Sequence, residues 1–380
     1  MKKKNLRSKE WFDNPKDPGL TALYLERYLN YGLKKKDLQS GKPIIGIAQS
    51  GSDLSPCNRH FLSLSKTIKN GVRESGGVPM EFPTHPIQET GKRPTAALDR
   101  NLSYLSLVEV LFGYPIDGVI LTTGCDKTIP AALMAAATVN IPSIVLSGGP
   151  MLDGSYKGKK AGSGTIIWEA RKLHAKGEIT YDEFMDMAIA SAPSIGHCNT
   201  MGTASTMNSI AEALGMSLTG SAIIPAPYKE RENISYKTGK RIVEMVHEDL
   251  TPSKIMTEKA FENAVYVASA IGGSSNCPPH LTSIARHMGI DFGLDNWGKF
   301  GYDIPLLANC QPAGEHLMEG FFKAGGVPAI MQELMKNNKL NKNAMTVTGK
   351  TIEENLKINI NVDKDVIKTF KNPLVKMLLL

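Results

Sequence analysis

The chain has 380 residues, of which 42% are hydrophobic and 21% are charged, and its formal net charge is +7. This length is sufficient for two or more hydrophobic cores, and the composition is typical of a globular protein. Much of the positive charge lies in short runs such as Lys34–Lys36 and Lys157–Lys160, which lack interleaved aromatic residues. We therefore expect solvated faces and no nucleic-acid partner, with a mild attraction for an acidic small-molecule substrate.

No segment approaches the roughly 18 consecutive apolar residues that a membrane span needs, so we expect no membrane partner. The basic N-terminus also lacks the apolar stretch of a secretory signal. Five cysteines are an odd number for a long chain without secretory features. These observations predict a cytoplasmic location and cysteines that serve metal binding or catalysis in place of disulfides.

The predicted elements begin with a helical lead-in over residues 1–40, where TALYLERYLNYGL carries apolar residues at helical spacing. Four short apolar runs then read as strands: KPIIGIAQSGSD, VPMEFPTHP, IDGVILTTG and IPSIVLSGGP. Three helical segments separate them: CNRHFLSLSKTIKNGVRESGG, TAALDRNLSYLSLVEVLFGYP and KTIPAALMAAATVN. This alternation predicts an α/β fold with a parallel sheet flanked by helices, in which ligands gather at the carboxyl ends of the strands.

Beyond Gly149, MLDGSYKGKKAGSG reads as a loop, and TIIWEARKLHAKG and TYDEFMDMAIASAPS read as helices. The segment GHCNTMGTASTMNSIAEALGMSL places Cys198 before a further strong helix. AFENAVYVASAIGGSSNCPPHLTSIARHMGI predicts a helix, a glycine-rich turn and a second helix. Residues from about 335 onwards are rich in Lys and Asn, and we expect them to be less ordered.

Three cysteines, Cys57, Cys125 and Cys198, stand where an apolar run gives way to a helix-like run. They are 68 and 73 positions apart, which excludes a zinc finger or a ferredoxin-type sequence. The pattern instead predicts one site assembled from three strand–helix units. Because a helix N-terminus favours a thiolate, we expect lowered cysteine pKa values and sulfur atoms that bind a soft metal. Three thiolates would leave one iron of a cluster open to substrate.

Asp126 and Lys127 directly follow Cys125. Such a pair at a helix start is usually a cap followed by a surface charge. Beside a metal-binding thiolate, however, a carboxylate suggests two metals of different character, with iron–sulfur on one side and Mg²⁺ on the other.

Glu89 is a second candidate oxygen ligand, and its alternative role is an ion pair with Lys92 or Arg93. The remaining cysteines, Cys277 and Cys310, are interpreted as structural, because cysteine is commonly buried in protein cores.

Four histidines lie close to these motifs: His60, His85, His197 and His280. A lone histidine is more often structural than a ligand, so none is assigned to a metal. The turns SGGP (147–150) and GGSSN (272–276) offer backbone N–H groups to a carboxylate or phosphate, with Ser274 and Ser275 as substrate-binding candidates. Glycine-rich turns are common, so these candidates rest on a weak signal.

The motifs SDLSPCN, TTGCDK, LMAAATVNIPSIVLSGGPM, GHCNTMGTASTMNSIAEALGMSL and GGSSN occur in this order from about Arg7 to about Leu374. Together they resemble the family of dihydroxy-acid and sugar-acid dehydratases, which includes 6-phosphogluconate dehydratase. ETGKRPTAALDRNL and GGSSNCPPHL are more similar to the L-arabinonate and D-xylonate dehydratases than to the branch of amino-acid biosynthesis.

The resemblance implies that Cys57, Cys125 and Cys198 hold an iron–sulfur cluster, with [2Fe–2S] favoured over [4Fe–4S]. The family reaction is the loss of water from a 2,3-dihydroxy sugar acid, which gives a 2-keto-3-deoxy acid. The open iron would act as a Lewis acid on the C3 hydroxyl.

The resemblance also implies a Mg²⁺ site formed by Glu89, Asp126 and Lys127, the last as a carbamylated lysine. This ion would chelate the substrate carboxylate and C2 hydroxyl and stabilise the charge that develops when the C2 proton leaves.

Family members are about two hundred residues longer and carry a C-terminal β-rich domain with the serine thought to be the base. The resemblance thus divides the chain into an α/β metal-binding domain over 41–370 and the truncated start of the C-terminal domain over 371–380. It implies that this domain, and with it the catalytic base, is absent, and that the chain forms a homo-oligomer, a dimer or a tetramer. Two alternatives stay open: a dihydroxy-acid dehydratase of branched-chain amino acid synthesis, and an inactive cluster-binding fragment.

Overall fold

The structure, a computed structural model, describes residues 6–30, 32–89 and 97–376. The described strands are β1 (Ile44–Gln49), β2 (Val78–Pro83), β3 (Gly118–Thr123), β4 (Ser143–Ser147), β5 (Gly154–Tyr156) and β6 (Lys159–Ala161). The described helices are α1 (Lys9–Phe12), α2 (Pro18–Leu29), α3 (Lys35–Leu38), α4 (Phe61–Glu74), α5 (Ala97–Gly113), α6 (Thr128–Val139), α7 (Thr165–Ala175), α8 (Tyr181–Ala190), α9 (Thr203–Ala213), α10 (Lys229–Glu248), α11 (Pro252–Ile255), α12 (Glu258–Ala270), α13 (Cys277–His287), α14 (Leu294–Gly301), α15 (Met318–Lys323), α16 (Gly326–Lys336) and α17 (Ile352–Asn355).

The first four strands form a parallel sheet in the order β2-β1-β3-β4. Every residue of β1, β3 and β4 is buried, so both faces of the sheet are covered. This explains why these strands read as continuous apolar runs rather than as alternating sequences. The predicted α/β fold with a parallel sheet flanked by helices is confirmed.

Two helices that cover the sheet approach each other unusually closely. A Cβ atom on Gly71 of α4 would lie 2.2 Å from the carbonyl oxygen of Tyr236 in α10. A Cβ atom on Gly239 of α10 would lie 2.3 Å from the carbonyl oxygen of Ile68 in α4. Glycine is therefore required at both positions for the backbones to pack, and this packing sets the place of α10 against β3 and β4.

The apolar interior has two main parts. The first core surrounds the sheet and includes α6, α10 and α12. The second core lies around α15 and α16 and includes Leu307, Cys310, Phe321 and Ile330. Two cores fit the prediction from chain length.

The N-terminal segment carries the helices α1, α2 and α3. The buried carboxylate of Asp117 accepts hydrogen bonds from the backbone N–H groups of Ser8 (3.1 Å) and Ile44 (2.7 Å). Phe12 and Leu38 pack with the first residues of β1 and β2. The segment is thereby fixed to the amino ends of the strands, on the side away from the candidate site.

The segment predicted as a loop after Gly149 contains a short hairpin, β5–β6, which the sequence reasoning missed. Lys157 and Gly158 both have positive φ angles, 48° and 79°, at the turn between the antiparallel strands. Two consecutive residues with positive φ form the tight turn that joins such strands. The three-residue strands are too short to show a period in the sequence.

The Lys- and Asn-rich segment after about residue 335 is more structured than expected. It contains α17, and Ile352, Leu356, Val366 and Ile367 are buried in the second core. Scattered apolar residues therefore anchor a segment whose average composition is polar. In the described part of the chain, no helix combines the length and apolar character that crossing a membrane requires.

Candidate metal centre

Loops at the carboxyl edge of the sheet carry the predicted ligands. Cys57 lies between β1 and α4, Cys125 lies two residues after β3, and Cys198 lies between α8 and α9. The side chains of Cys57 and Cys125 hydrogen-bond to each other, and the charge of Cys57 acts on Cys198. The structure thus brings Cys57 and Cys125 into contact and places Cys198 near enough for the charge of Cys57 to act on it.

Two amide side chains fix the backbone around these sulfur atoms. Asn58 Oδ1 accepts a hydrogen bond from the N–H of Cys125 (3.0 Å), and Gln88 Oε1 accepts one from the N–H of Cys57 (3.2 Å). The N–H of Glu89 lies 3.4 Å from Cys125 Sγ. Sequence reasoning missed Asn58 and Gln88. Their only signal in the sequence is that each adjoins a candidate ligand.

The acidic candidates and the lysine lie beside Cys125. Its thiol lies 3.0 Å from Asp126 Oδ1, to which it donates a hydrogen bond. Lys127 Nζ forms an ion pair with Glu89 Oε2 at 2.7 Å, and the lysine is buried. The carboxyl groups of Asp126 and Glu89 also hydrogen-bond to each other. Soft and hard donors therefore adjoin in one cluster.

Glu89 forms an ion pair with Lys127, whereas its alternative partners proposed from sequence, Lys92 and Arg93, lie outside the described residues. Within the described ranges, no three His, Cys, Asp or Glu side chains are arranged to enclose a metal ion as they stand. The positive charge beside Glu89 is the Lys127 ammonium.

The expectation that helix N-termini lower the cysteine pKa values is wrong for two of the three thiols. The hydrogen bond from Cys125 lowers the pKa of Cys57. The same hydrogen bond, together with burial, raises the pKa of Cys125. Burial raises the pKa of Cys198 to about 12. The helices begin three to five residues after each cysteine, at Phe61, Thr128 and Thr203, so burial and neighbouring charge dominate.

The carboxyl group of Asp126 has a raised pKa. Burial raises its pKa to about 6, and the nearby charge of Glu89 acts in the same direction, whereas the hydrogen bond from Cys125 opposes the shift. The single proton of Cys125 has two acceptors, Asp126 and the sulfur of Cys57. Negative charge is thus crowded in a buried place where one ammonium partly offsets it.

Cys277 lies closer to this cluster than its structural interpretation required. It is fully buried at the start of α13, and its pKa is raised by burial and by the charge of Asp126. Cys310 lies in the second core instead. All five cysteines are free thiols in the structure.

The weak substrate-binding candidates lie on the turn before α13. Ser274 Oγ is 2.8 Å from Thr203 Oγ1, and the N–H of Ser274 donates to Thr206 Oγ1 at 3.2 Å. Ser275 is exposed to solvent. Ser274 is therefore engaged with the first turn of α9, and its carbonyl oxygen accepts a hydrogen bond from the N–H of Cys277 at 3.0 Å. The described contacts join neither serine to Cys57, Cys125 or Cys198.

Three of the histidines near the motifs, His60, His197 and His280, are held in neutral form. Burial lowers the pKa of His60 to about 4 and lowers the pKa values of His197 and His280 to about 3. His60 and His197 donate hydrogen bonds to backbone carbonyl groups, which is typical of structural imidazoles.

A cavity of about 860 Å³ lies elsewhere, along the edge strand β2. Its walls include Lys69, Arg73, Phe82 and Tyr114 and none of the predicted site residues. Size alone therefore does not identify the chemically distinctive region of this protein.

The chain is similar to known dehydratases over nearly its whole length. It is 58% identical to D-xylonate dehydratase of Caulobacter vibrioides, over 98% of this chain and 62% of the relative. It is 45% identical to L-arabinonate dehydratase of Rhizobium leguminosarum bv. trifolii, over 97% of this chain and 64% of the relative. Identity to dihydroxy-acid dehydratase of Caldanaerobacter subterraneus subsp. tengcongensis is 38%, over 92% of this chain and 64% of the relative.

The chain spans slightly less than two thirds of the length of these relatives. Residues 42–355 match the family model described as dihydroxy-acid/6-phosphogluconate dehydratase N-terminal. This range contains Cys57 and Cys125, each between a strand and a helix, and Cys198. The prediction of a third strand–helix unit is wrong for Cys198, which follows the helix α8 and not a strand. The resemblance seen in the motifs is confirmed, and the higher identities are to sugar-acid dehydratases. The chain belongs to the dihydroxy-acid/6-phosphogluconate dehydratase family, of which it contains the N-terminal domain.

Proposed function

We propose that this chain is the metal-binding part of a hydro-lyase that converts an aldonate, such as D-xylonate or L-arabinonate, to a 2-keto-3-deoxy acid. One observation carries the proposal: a buried run of thiol, carboxylate and amine at Cys125, Asp126 and Lys127 meets Cys57 and Glu89 at the carboxyl edge of the sheet. The identity of 58% to a D-xylonate dehydratase supports the choice of an aldonate over other dihydroxy acids.

The cysteines fit an iron–sulfur cluster. Three thiols lie in one neighbourhood, and the charge of Cys57 disfavours ionisation of Cys198. A bound cationic cluster would remove that mutual repulsion, as thiolate ligands are deprotonated by the metal. Three cysteine ligands leave a coordination position free for substrate, and we favour [2Fe–2S] over [4Fe–4S] by resemblance to the sugar-acid branch.

The acidic group fits Mg²⁺. Asp126 and Glu89 present carboxylate oxygens, which are the donors that Mg²⁺ prefers. Burial of these carboxylates without a full complement of positive charge is costly, so a divalent cation would stabilise the arrangement. Carbamylation of Lys127 would replace its ammonium with an anionic oxygen donor and release Glu89 from the present ion pair.

The residues of the chain would act by positioning and by excluding water. When bound, the iron and Mg²⁺ would supply Lewis acidity toward hydroxyl and carboxylate oxygens of the substrate. Asn58 and Gln88 hold the backbone of Cys125 and Cys57 in fixed orientations. Burial of Asp126 and Lys127 keeps bulk water from competing with a small polyhydroxy acid for these groups.

The proposed activity is tested with the chain after anaerobic reconstitution with iron, sulfide and Mg²⁺, with the C-terminal domain of a sugar-acid dehydratase added separately, because the resemblance places the catalytic base in that domain. We expect release of a 2-keto-3-deoxy acid from D-xylonate or L-arabinonate and much slower turnover of 2,3-dihydroxyisovalerate. Turnover of the branched acid alone would contradict the aldonate proposal and favour the dihydroxy-acid alternative. A stable cluster with no turnover of any of these acids would favour a cluster-binding protein without catalysis.

The carbamate is tested separately with ¹³C-labelled bicarbonate and Mg²⁺. We expect a carbamate carbon resonance in the wild-type chain and its loss in Lys127→Met. Lys127→Arg is the matched control, because arginine keeps the positive charge beside Glu89 but cannot form this carbamate. A resonance of unchanged intensity in both variants would show that Lys127 is not the modified residue.

A further inference from the structure

Beneath the sulfur atoms, the loops that carry the three cysteines are connected by buried hydrogen bonds. The first connection joins the Cys57 loop to the Cys125 loop, since Asn58 Oδ1 accepts from the N–H of Cys125 at 3.0 Å. Close approach is enforced here, because a Cβ atom on Gly124 would lie 2.4 Å from Asn58 Oδ1.

The second connection joins the Cys125 loop to the Cys198 loop through three side chains. Thr123 Oγ1 donates to Asn208 Oδ1 at 3.3 Å. Asn208 Nδ2 donates to His197 Nε2 at 3.3 Å, and His197 Nδ1 donates to the carbonyl oxygen of Cys198 at 3.0 Å. A continuous path therefore runs from the last residue of β3 to the backbone of the third cysteine.

The third connection returns to the Cys57 loop through the SGGP turn. The backbone N–H of His197 donates to the carbonyl oxygen of Gly149 at 3.0 Å. The carbonyl oxygen of Gly148 accepts from His60 Nε2 at 2.9 Å. Arg231 supports the turn from below by donating to the carbonyl oxygen of Ser147 at 2.5 Å and to that of Ile224. The connections close into one circuit.

The side-chain path has a single consistent direction of donation. The threonine hydroxyl donates to the amide oxygen, so the amide nitrogen of Asn208 is left to donate. Its acceptor, His197 Nε2, must then be unprotonated, which places the imidazole proton on Nδ1, where it faces the Cys198 carbonyl. Asn208 is almost fully buried and projects from α9, where it also donates to Ala204. Any other tautomer or amide orientation would leave a buried group unpaired.

We propose that Asn208 is a positioning residue that holds the Cys198 loop at a fixed distance from the Cys125 loop, so that the third sulfur faces the site before a metal arrives. This role rests on the cysteine site of the proposed function. It does not require contact between Asn208 and metal or substrate. Without this connection the Cys198 loop would be free to move. Metal binding would then have to order the loop, and the affinity for the metal would fall.

The test is a Cd²⁺ titration of the reduced, metal-free full chain, followed through the thiolate-to-cadmium charge-transfer absorption. We expect Asn208→Leu, which has similar volume but no hydrogen-bonding groups, to weaken Cd²⁺ binding at least tenfold. The milder Thr123→Val removes one hydroxyl from the path at nearly constant shape, and a weakening of about fivefold is expected for one buried hydrogen bond. Thr123→Ser retains the hydroxyl and should bind Cd²⁺ as the wild type does.

Asn263→Leu is the matched control for general loss of stability. Asn263 is also a fully buried helical asparagine, but its side chain bonds to the backbone of Asn341, in another part of the molecule. We expect its melting temperature to fall as in Asn208→Leu while its Cd²⁺ affinity is unchanged. Equal affinities in Thr123→Val, Thr123→Ser and the wild type would overturn the role of the path, even if Asn208→Leu fails to fold. A wild-type chain without thiolate–cadmium absorption would overturn the cysteine site itself, and this inference with it.

Discussion

Cys125 and Cys310 are buried to nearly the same extent, with exposed fractions of 4% and 2%, but their side chains have different neighbours. Cys125 is surrounded by a carboxylate, a second thiol and the backbone N–H of Glu89. Cys310 lies in the second core among aliphatic and aromatic side chains. The pKa is raised in both, chiefly through the hydrogen bond to Cys57 in the first case and through burial, to about 12, in the second.

The comparison shows that burial of a thiol does not identify a ligand. A candidate ligand is distinguished by charged and polar partners that remain only partly compensated in the absence of a metal. Among the described contacts, the thiol of Cys310 has no hydrogen bond to a carboxylate or a second thiol, and only the charges of Asp153 and Lys160 act on it.

The largest expected effect is on Cys125. Cys125→Ser should abolish the reconstituted iron–sulfur cluster, because a serine hydroxyl is a poor ligand for a soft metal and the two remaining cysteines cannot hold the cluster. Iron and sulfide analysis after gel filtration measures this. Full cluster content in Cys125→Ser would show that the ligand assignment is wrong.

The second core is tested by Phe321→Ala. Phe321 is fully buried, and its truncation should lower the free energy of unfolding by about 3–5 kcal/mol through lost burial and an internal cavity. Urea unfolding monitored by circular dichroism measures the loss. Cluster content per folded chain should not change, and a parallel fall in both quantities would mean that the two regions are not independent.

In the metal-free chain, the buried Asp126 carboxylate is only partly compensated by positive charge and should lower the free energy of unfolding. Asp126→Asn should remove this destabilisation. The pKa of Asp126 is about 6 in the folded chain and 3.8 in the unfolded chain. Between pH 3.8 and pH 6, the folded chain therefore binds a proton at this carboxyl more tightly than the unfolded chain does. The contribution of the Asp126 carboxyl to the free energy of unfolding is therefore present at low pH and is lost as the pH rises from about 4 to 6. At pH 7 the variant should be more stable than the wild type by up to about 3 kcal/mol.

The pH dependence supplies the control for this prediction. Well below pH 3.8 the carboxyl is protonated in both states, and the pH-dependent difference between Asp126→Asn and the wild type should vanish. Mg²⁺ should raise the melting temperature of the wild type more than that of the variant. A constant difference across the pH range would indicate a packing effect instead.

The smallest effect is expected at Cys310. Cys310→Ala should cost about 1 kcal/mol, as for deletion of one methyl-sized group in a core. Reconstituted iron and sulfide should equal those of the wild type. Loss of the cluster in this variant would remove the contrast between the two thiols.

The sequence predicted the parallel sheet because strands buried on both faces read as uninterrupted apolar runs, such as that of β3. It also placed Cys57, Cys125 and Glu89 at one edge, since loops after parallel strands meet there. The hairpin β5–β6 escaped prediction because its strands are too short for a periodic signal. The packing of the segment after about residue 335 was not predicted, because it depends on a few apolar residues within a polar sequence.

The pKa values of the thiols could not be derived from sequence, because they depend on burial and on charges from other loops. Asn208 and His197 lie near Cys198 in the sequence, but their connection to Thr123 exists only in the folded chain. The domain boundaries, the cytoplasmic location and the homo-oligomeric state stay predictions.

The most direct test of the account is the iron-to-sulfide ratio and visible spectrum of the anaerobically reconstituted wild-type chain. We predict iron and sulfide in equal amounts, retained after brief treatment with a chelator, with the absorption of an iron–sulfur cluster. Iron that the chelator removes completely, without bound sulfide, would contradict the proposal that Cys57, Cys125 and Cys198 form one cluster site.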